Sequence, residues 1–335
     1  MNSAFSNSIK AEARRLGFFA CGIAKAEPVD DDTARAYKSW LQNGGHADMH
    51  YLENYLDKRL DPRLLVPGTK SIICVALCYA PARRIPDDQY QIAAYAYGHD
   101  YHDVMKQKLR QLAAFIAGNG ENKEEKDEHD QTTRTIHPSP ITQPFCDTAP
   151  VLERYWAVRA GLGWIGRNHQ LIIPHAGSMF FLGELFVDIE LPADTPMPNR
   201  CGTCRRCIDA CPTHALSQSP STRQSLFRGE LCLSYHTIEN RADELPPDIA
   251  RHLGTSIYGC DRCQQVCPWN RFALPATEPL LQPSPELLQM TKEQWEHLTV
   301  EDYQRLFKGS AVKRAKYSGL TRNIQAAQKG EEQTE

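Results

Sequence analysis

Closely spaced cysteines are the residues of this sequence with the clearest chemistry. Four of them form the run Cys201-x-x-Cys204-x-x-Cys207-x-x-x-Cys211, and Pro212 follows directly. This spacing is typical of 4Fe-4S sites, because three neighbouring thiolates can wrap around one iron cubane while the fourth points towards a second cluster. The run therefore predicts iron–sulfur chemistry.

A second, incomplete run lies further along the chain. It consists of Cys260, Cys263 and Cys267 before Pro268, and Cys232 lies upstream as a replacement for the missing cysteine. Two-cluster ferredoxins exchange the last cysteine of each run between their clusters. On that rule we predict one 4Fe-4S cluster on Cys201, Cys204, Cys207 and Cys267, and another on Cys211, Cys232, Cys260 and Cys263.

Zinc is the alternative occupant of these thiolates. It also accepts four cysteines, but it does not favour a third cysteine two residues further on or a Cys-Pro ending. Two interlocked clusters would pass electrons between them, so the chain must also bind an electron acceptor. No dinucleotide or P-loop glycine motif is present. Asp100 and His102 begin a D-x-H-x-x-G cobalamin signature, but Met105 stands in place of its glycine.

Predicted helices and strands precede the cysteines. Apolar spacing predicts helices over 4–19, 103–117 and 151–160, and the apolar run at 71–79 predicts a buried strand. Two further strands are expected at 170–174 and 178–191. The polar stretch from Asn119 to Pro140 is expected to be an exposed loop. This order suggests an α/β or α+β domain over 1–195, a cluster domain over 196–275 and a helical basic segment over 276–335.

Composition limits the location and the partners. The 335 residues carry a net charge of -3, which argues against a surface coated with positive charge for non-specific nucleic-acid binding. No apolar run reaches the length of about 18 residues that a membrane helix needs, and the start lacks a secretory apolar region. We therefore expect a cytoplasmic protein without a membrane partner.

Seven short motifs resemble those of the epoxyqueuosine reductases, cobalamin-dependent iron–sulfur enzymes of tRNA modification. The resemblance runs from about residue 5 to about residue 325. The motifs are KRLDP at 58–62, YGHDYH at 97–102, DTAPVLER at 147–154, AGLGWIGRN at 160–168, LSY at 233–235, YGCD at 258–261 and VCPWN at 266–270.

The resemblance implies a fold and a reaction. The expected fold is α+β, with an N-terminal α/β cobalamin-binding domain related to reductive dehalogenases, a ferredoxin-like twin 4Fe-4S domain and a short helical C-terminal tail. Cobalamin would be held without a histidine beneath the cobalt and reduced through the two clusters. The enzyme would remove the epoxide oxygen of epoxyqueuosine at the wobble position of tRNA, which leaves queuosine and water.

Site residues follow from the same resemblance. Asp147 matches the family's proton donor, although an aspartate at this place could also be a helix N-cap. A carboxyl group can donate only if burial by the corrin keeps it protonated near neutral pH. The matching cobalamin contacts are Arg59, Asp147, Asn168, Leu171, Ser234 and Asp261. As alternatives, Arg59 could be a surface residue, Asn168 a turn residue and Leu171 strand core.

Two glutamates and a basic segment complete the candidates. Glu153 and Glu184 could be acids, but each is expected to pair with a cation. Residues 305–329 contain seven cations and no acid, Arg305, Lys308, Lys313, Arg314, Lys316, Arg322 and Lys329. Such a segment predicts contact with tRNA phosphates, and a solvated helix face is the alternative.

The full hypothesis is a monomeric oxidoreductase that acts on a tRNA anticodon stem-loop and takes electrons from an external donor. Two other functions remain open on the sequence. One is a corrinoid reductase of another small substrate, such as an organohalide. The other is a simple electron carrier, which the long N-terminal region disfavours because a carrier needs only its clusters.

Overall fold

A computed structural model describes residues 2–119, 140–219 and 225–332. Most of the polar stretch predicted to be an exposed loop lies outside these ranges. The α-helices of the described ranges are α1 Asn2–Arg15, α2 Asp31–Gln42, α3 Leu56–Leu60, α4 Pro62–Leu65, α5 Tyr101–Asn119, α6 Glu153–Arg159, α7 Arg206–Asp209, α8 Leu233–Ile238, α9 Pro247–Ala250, α10 Arg262–Gln265, α11 Pro285–Gln289, α12 Lys292–Glu296, α13 Val300–Leu306 and α14 Lys316–Glu332.

Strands and single helical turns make up the other regular structure of those ranges. The strands are β1 Ala20–Lys25, β2 Ser71–Cys78, β3 Gln91–Ile92, β4 Thr142–Phe145, β5 Trp164–Ile165, β6 Leu171–Ile172, β7 Phe180–Val187, β8 Leu216–Gln218, β9 Ser225–Phe227 and β10 Ser256–Tyr258. The 3-10 turns are His50–Leu52, Ala94–Ala96, Gly229–Leu231, Pro268–Phe272, Pro279–Leu281 and Ala311–Ala315. The predicted helices and strands are present, with bounds that differ by a few residues.

The central sheet has the strand order β1-β2-β7-β4, and every pairing in it is antiparallel. This arrangement is α+β, as expected. It decides between the α/β and α+β architectures that the sequence left open for residues 1–195. Strand β2 is apolar throughout because both of its faces are covered. Ile73 and Val75 face the core shared with α1 and α5, whereas Ile72 and Ala76 face the core shared with α6.

Helix α6 lies close against the sheet because β1 contains a glycine. A Cβ atom at Gly22 would lie 2.0 Å from the carbonyl oxygen of Ala160, the residue that ends α6. A side chain cannot be accommodated there without moving the helix. Gly22 therefore fixes the position of the helix that begins at Glu153.

The C-terminal region packs back onto the rest of the molecule. β10 pairs in parallel with β3, and α14 covers β10 and α8. The Asn323 side chain is fully buried and donates hydrogen bonds of 2.9 Å to the carbonyls of Thr237 and Ile257. One apolar core includes residues from Ile9 to Ala327, so it contains residues of all three predicted domain ranges. The boundaries between these ranges stay predictions. None of the described helices is long and apolar enough to cross a membrane.

Candidate functional site: two thiol sets and a buried acid

The first predicted thiol set surrounds one cavity. Cys201, Cys204, Cys207 and Cys267 line a space of about 380 Å³. Cys201 and Cys204 are joined by a turn, in which the amide of Cys204 donates to the carbonyl of Cys201 over 3.1 Å. Burial, followed by the nearby Cys201 and Cys267 thiols, raises the pKa of Cys207 to about 11. All twelve cysteines are free of disulfides, so these thiols are available to iron.

The second set gathers beside the first. Burial raises the pKa of the Cys263 thiol, and the neighbouring Cys260 and Cys232 raise it further. Cys211 in turn raises the pKa of Cys232, after burial. Cys207 of the first set also acts on Cys263, so the two sets are neighbours. The structure thus brings together the groups that the crossover rule names, while their roles as iron ligands stay a prediction.

Asp147 follows β4 and has a left-handed backbone, with φ of 58°. The hydroxyl of Tyr101 donates to its Oδ2 atom over 2.5 Å, and His102 Nε2 lies 3.2 Å from the same atom. The other ring nitrogen of His102 lies 2.7 Å from Asp100 Oδ1. The N-cap of α6 is Leu152, without a side-chain cap, so the interpretation of Asp147 as a helix cap is wrong.

The pKa values of His102 and Asp147 decide which of the two side chains holds the proton between them. Burial raises the pKa of Asp147, but hydrogen bonds from His102 and Tyr101 outweigh burial and lower it below its ordinary value. Burial lowers the pKa of His102, and the hydrogen bonds to Asp100 and Asp147 raise it to about 9. The Asp147 side chain is 56% exposed. Near neutral pH the proton is therefore on the imidazole, and a protonated Asp147 buried by the corrin stays a prediction.

Glu184 lies in the centre of β7 with no exposed surface and with both carboxyl oxygens lacking a hydrogen-bond partner. Burial raises its pKa well above the ordinary value, and the charges of Glu153 and Asp147 add to the rise. Glu153 accepts a hydrogen bond from the Asp147 amide, while Arg154 donates to the carbonyl of His169. No described cation pairs with either glutamate, so the expected ion pairs are wrong.

Two predicted cofactor contacts are buried donors. Arg59 is 8% exposed and Asn168 is 4% exposed, and Arg59 Nε and Asn168 Nδ2 have no hydrogen-bond partner. Burial excludes the interpretation of Arg59 as a solvated surface residue. Asn168 does lie in a turn, where its Oδ1 accepts from the Gln170 amide, and it also lines the first thiol cavity. A ligand with several oxygen acceptors would satisfy both donors.

The other three predicted contacts have different surroundings. The Leu171 side chain is 4% exposed and packs in the core beneath α6. The Ser234 amide points at Cys232 and lowers the pKa of that thiol against the larger effect of burial. Asp261 accepts a hydrogen bond of 2.7 Å from the Ala94 amide. These placements show protein partners for each residue, and contact with a cofactor stays a prediction.

Sequence reasoning missed the polar residues around Asp147. Tyr101 and His102 belong to the YGHDYH motif, whose only chemical signal in the sequence is an incomplete cobalamin signature. Tyr51 belongs to none of the seven motifs, yet the charges of Asp147 and Arg59 both act on its phenol. Tyr51 and Tyr101 lie far from Asp147 in the chain, so a single sequence gives no signal that they are its neighbours.

Comparisons with known proteins identify two domains in this chain. Residues 200–270 match the family model of a 4Fe-4S double cluster binding domain, and residues 59–134 match the model described as epoxyqueuosine reductase QueG, DUF1730. The class of protein is thus a double-cluster iron–sulfur oxidoreductase.

Relatives over nearly the whole chain narrow that class. An epoxyqueuosine reductase of Cellulophaga algicola is 46% identical over 95% of this chain and 96% of the relative. One of Cyclobacterium marinum is 41% identical over 94% of each. A crystal structure of an epoxyqueuosine reductase with an epoxyqueuosine-modified tRNA stem loop matches with a TM-score of 0.83 at 25% identity, over 98% of this chain and 81% of that chain. The chain belongs to the epoxyqueuosine reductase family.

Proposed function

We propose that this oxidoreductase removes the epoxide oxygen of epoxyqueuosine in tRNA, with electrons delivered through two 4Fe-4S clusters to cobalamin and protons delivered by Asp147 and His102. The observation that carries the proposal is the hydrogen bonding of one carboxylate by Tyr101 and His102, in a chain that also gathers two sets of four thiols. An electron carrier needs no such acid.

The buried donors support cobalamin as the electron acceptor. Arg59 and Asn168 each hold a buried nitrogen without a protein partner, and a corrin carries amide oxygens around its rim. A bound cobalamin would supply a strongly reducing cobalt centre. Arg59 and Asn168 would anchor it by hydrogen bonds. Tyr51, which lies within the electrostatic reach of both Arg59 and Asp147, would help to exclude water from one side.

Residues next to the second thiol set support the interpretation that it is the inner set, nearer to the acid, and that the first set is the outer set. Cys260 lies two residues after Tyr258, and the hydroxyl of Tyr258 lies 3.1 Å from the hydroxyl of Tyr95. The ring of Tyr95 lies 6.1 Å from that of Tyr101, which donates to Asp147. This row of tyrosines supports a path in which electrons would enter at the first set, pass to the second and leave towards cobalamin and the substrate.

Proton supply follows from the charge state. Removing the epoxide oxygen breaks two C–O bonds, consumes two electrons and two protons, and releases water. His102 carries the proton at neutral pH and would pass it to Asp147 Oδ2, 3.2 Å away, as substrate and cofactor displace water. The protonated carboxyl group would then protonate the departing oxygen. Solvent would return a proton to His102 for the second transfer.

The basic C-terminal segment supports tRNA as the substrate, with fewer cations than expected. Arg305 pairs with Glu286 and Asp302, Arg314 pairs with Glu239, and Arg322 donates to backbone carbonyls. Of the seven cations of this segment, four are exposed and form no ion pair with a described residue: Lys308, Lys313, Lys316 and Lys329. Asp147 and Tyr51 add to the raised pKa of Arg314, after Glu239, so Arg314 lies within electrostatic reach of the acid.

An anaerobic assay tests the proposal. Protein with restored clusters and added cobalamin would be mixed with dithionite and an anticodon stem-loop that carries epoxyqueuosine, and the nucleosides would be analysed by mass spectrometry. We expect a product lighter by one oxygen atom, formed only when cobalamin is present. Failure to retain cobalamin on gel filtration, or turnover of an organohalide instead, would contradict the proposal.

A tRNA substrate also implies a cytoplasmic location, and we propose that the protein is a monomer.

A further inference from the structure

Four arginines surround the cavity of the first thiol set. Arg167, Arg200 and Arg271 line the cavity itself, and Arg206 lines the adjoining groove, which shares Cys267 and Arg271 with it. We call these four residues the arginine rim. Arg200, Arg206 and Arg271 are exposed and Arg167 is half-buried.

No carboxylate of the described residues neutralises the positive charge of the arginine rim. None of its four side chains forms an ion pair within the described ranges. Arg167 donates instead to the carbonyl of Gly202 over 2.7 Å, and the Arg271 guanidinium lies 4.6 Å from the ring centre of Phe272. The acids of the groove are Asp87 and Asp209, and Asp209 already contacts Arg205 over 3.4 Å. A chain of net charge -3 thus concentrates cations at this place.

Apolar side chains lie within the arginine rim. Trp269 and Phe272 line the cavity with ring centres 6.3 Å apart, and Leu274, two residues further on, is 71% exposed. Weak protein–protein interfaces combine an apolar centre with charged surroundings, and arginine is enriched in them because it binds carboxylates with two parallel hydrogen bonds. This composition fits an acidic protein that binds briefly.

The position of the arginine rim suggests what that protein does. The rim encloses the first, outer thiol set, whereas the tyrosine row that leads to Asp147 begins two residues before Cys260 of the second, inner set. A partner seated here would be next to the point where electrons enter. The free lysines that favour tRNA lie instead in the C-terminal segment, whose Arg314 is within electrostatic reach of Asp147.

We propose that the arginine rim docks an acidic one-electron carrier protein of the flavodoxin or ferredoxin kind, which reduces the cluster held by the first thiol set. Each docking transfers one electron from the reduced carrier to that cluster, and the carrier leaves oxidised. Two dockings supply the two electrons that one epoxide consumes. This inference rests on the proposed function, since only a reductase fed through its clusters needs such a donor.

Stopped-flow reduction of the clusters tests the inference. The probe is a photoreduced flavodoxin mixed with the cluster-loaded protein, followed by the loss of cluster absorbance. In the double variant Arg206→Gln, Arg271→Gln we expect the second-order rate at low salt to fall about tenfold, because charges around an interface mainly set the association rate. The difference should shrink at high salt. The control Arg110→Gln removes an exposed arginine of α5 and should leave the rate unchanged.

Dithionite separates the docking role from damage to the cluster. Reduction by dithionite, the iron content and dithionite-driven turnover of the stem-loop should change less than about twofold in the double variant. Equal rates with flavodoxin would overturn the inference, and so would an equal loss with dithionite. A loss of stem-loop affinity with normal flavodoxin kinetics would show instead that the surface binds RNA. The flavodoxin rates, the dithionite rates and the iron content do not depend on whether epoxyqueuosine is the substrate.

Discussion

His102 lies between two carboxylates, with Nε2 3.2 Å from Asp147 and Nδ1 2.7 Å from Asp100. Both contacts favour the protonated imidazole, so in the proposed mechanism Asp147 receives its proton from His102. The relationship separates proton storage from proton delivery.

Replacing His102 by Gln should lower the rate of the reductive step by about 10²-fold to 10³-fold, because the amide cannot carry the proton. In the native protein the rate should be constant below pH 9 and fall above it, since the pKa of His102 is about 9. Single-turnover rates across that pH range measure both effects. The exposed His297→Gln is the control, and an unchanged pH profile in His102→Gln would remove the histidine from the mechanism.

Glu184 should make the fold less stable as pH rises. Its pKa is raised in the folded state, so above the ordinary glutamate pKa of about 4.3 the folded protein holds a proton that the unfolded chain has lost. Folding then binds a proton, and stability falls with increasing pH. Glu184→Gln should remove this slope and be more stable than the native protein at pH 8. Urea unfolding between pH 5 and pH 8 measures the slopes, and parallel curves would contradict a neutral buried carboxyl.

Cys211 tests the crossover of the thiol sets. Although it belongs to the first run of the sequence, it lies with Cys232. Cys211→Ser should therefore disturb the inner cluster and leave the outer one intact, whereas Cys267→Ser should do the reverse. Electron paramagnetic resonance of the reduced proteins distinguishes the clusters. Cys78→Ser, outside both sets, is the control, and loss of the same cluster in both variants would refute the grouping.

The free lysines should govern tRNA binding. Lys313→Gln with Lys316→Gln should weaken stem-loop binding and lower the slope of log affinity against log salt by about 0.7 for each phosphate that a lysine no longer neutralises. Fluorescence anisotropy at several salt concentrations measures that slope. Arg110→Gln should leave it unchanged. Equal slopes in the native protein and the lysine variant would assign tRNA binding to another surface.

Much of this architecture could be predicted from local sequence. Cysteine spacing identified the two thiol sets, and the apolar run of β2 predicted a strand covered on both faces. The antiparallel sheet could not be predicted, because the pairing of β7 with β2 and β4 joins segments far apart in the chain.

Side-chain partners were harder to predict than elements. Glu184 was expected to find a cation, but it occupies the apolar face beneath α6, where burial keeps it neutral. Arg322 was expected to bind tRNA phosphates, yet it donates to three carbonyls around α8. Both outcomes depend on packing between distant segments, which a single sequence does not contain.

The central claim is that Asp147 delivers the proton to the departing epoxide oxygen, and single-turnover chemistry with Asp147→Asn tests it most directly. Cluster-loaded, cobalamin-bound protein would be reduced beforehand and mixed with the epoxyqueuosine stem-loop, with the exposed Asp103→Asn as control. We predict normal cobalamin and stem-loop binding and a rate at least about 10²-fold below the native rate. Product formation at the native rate would contradict the account.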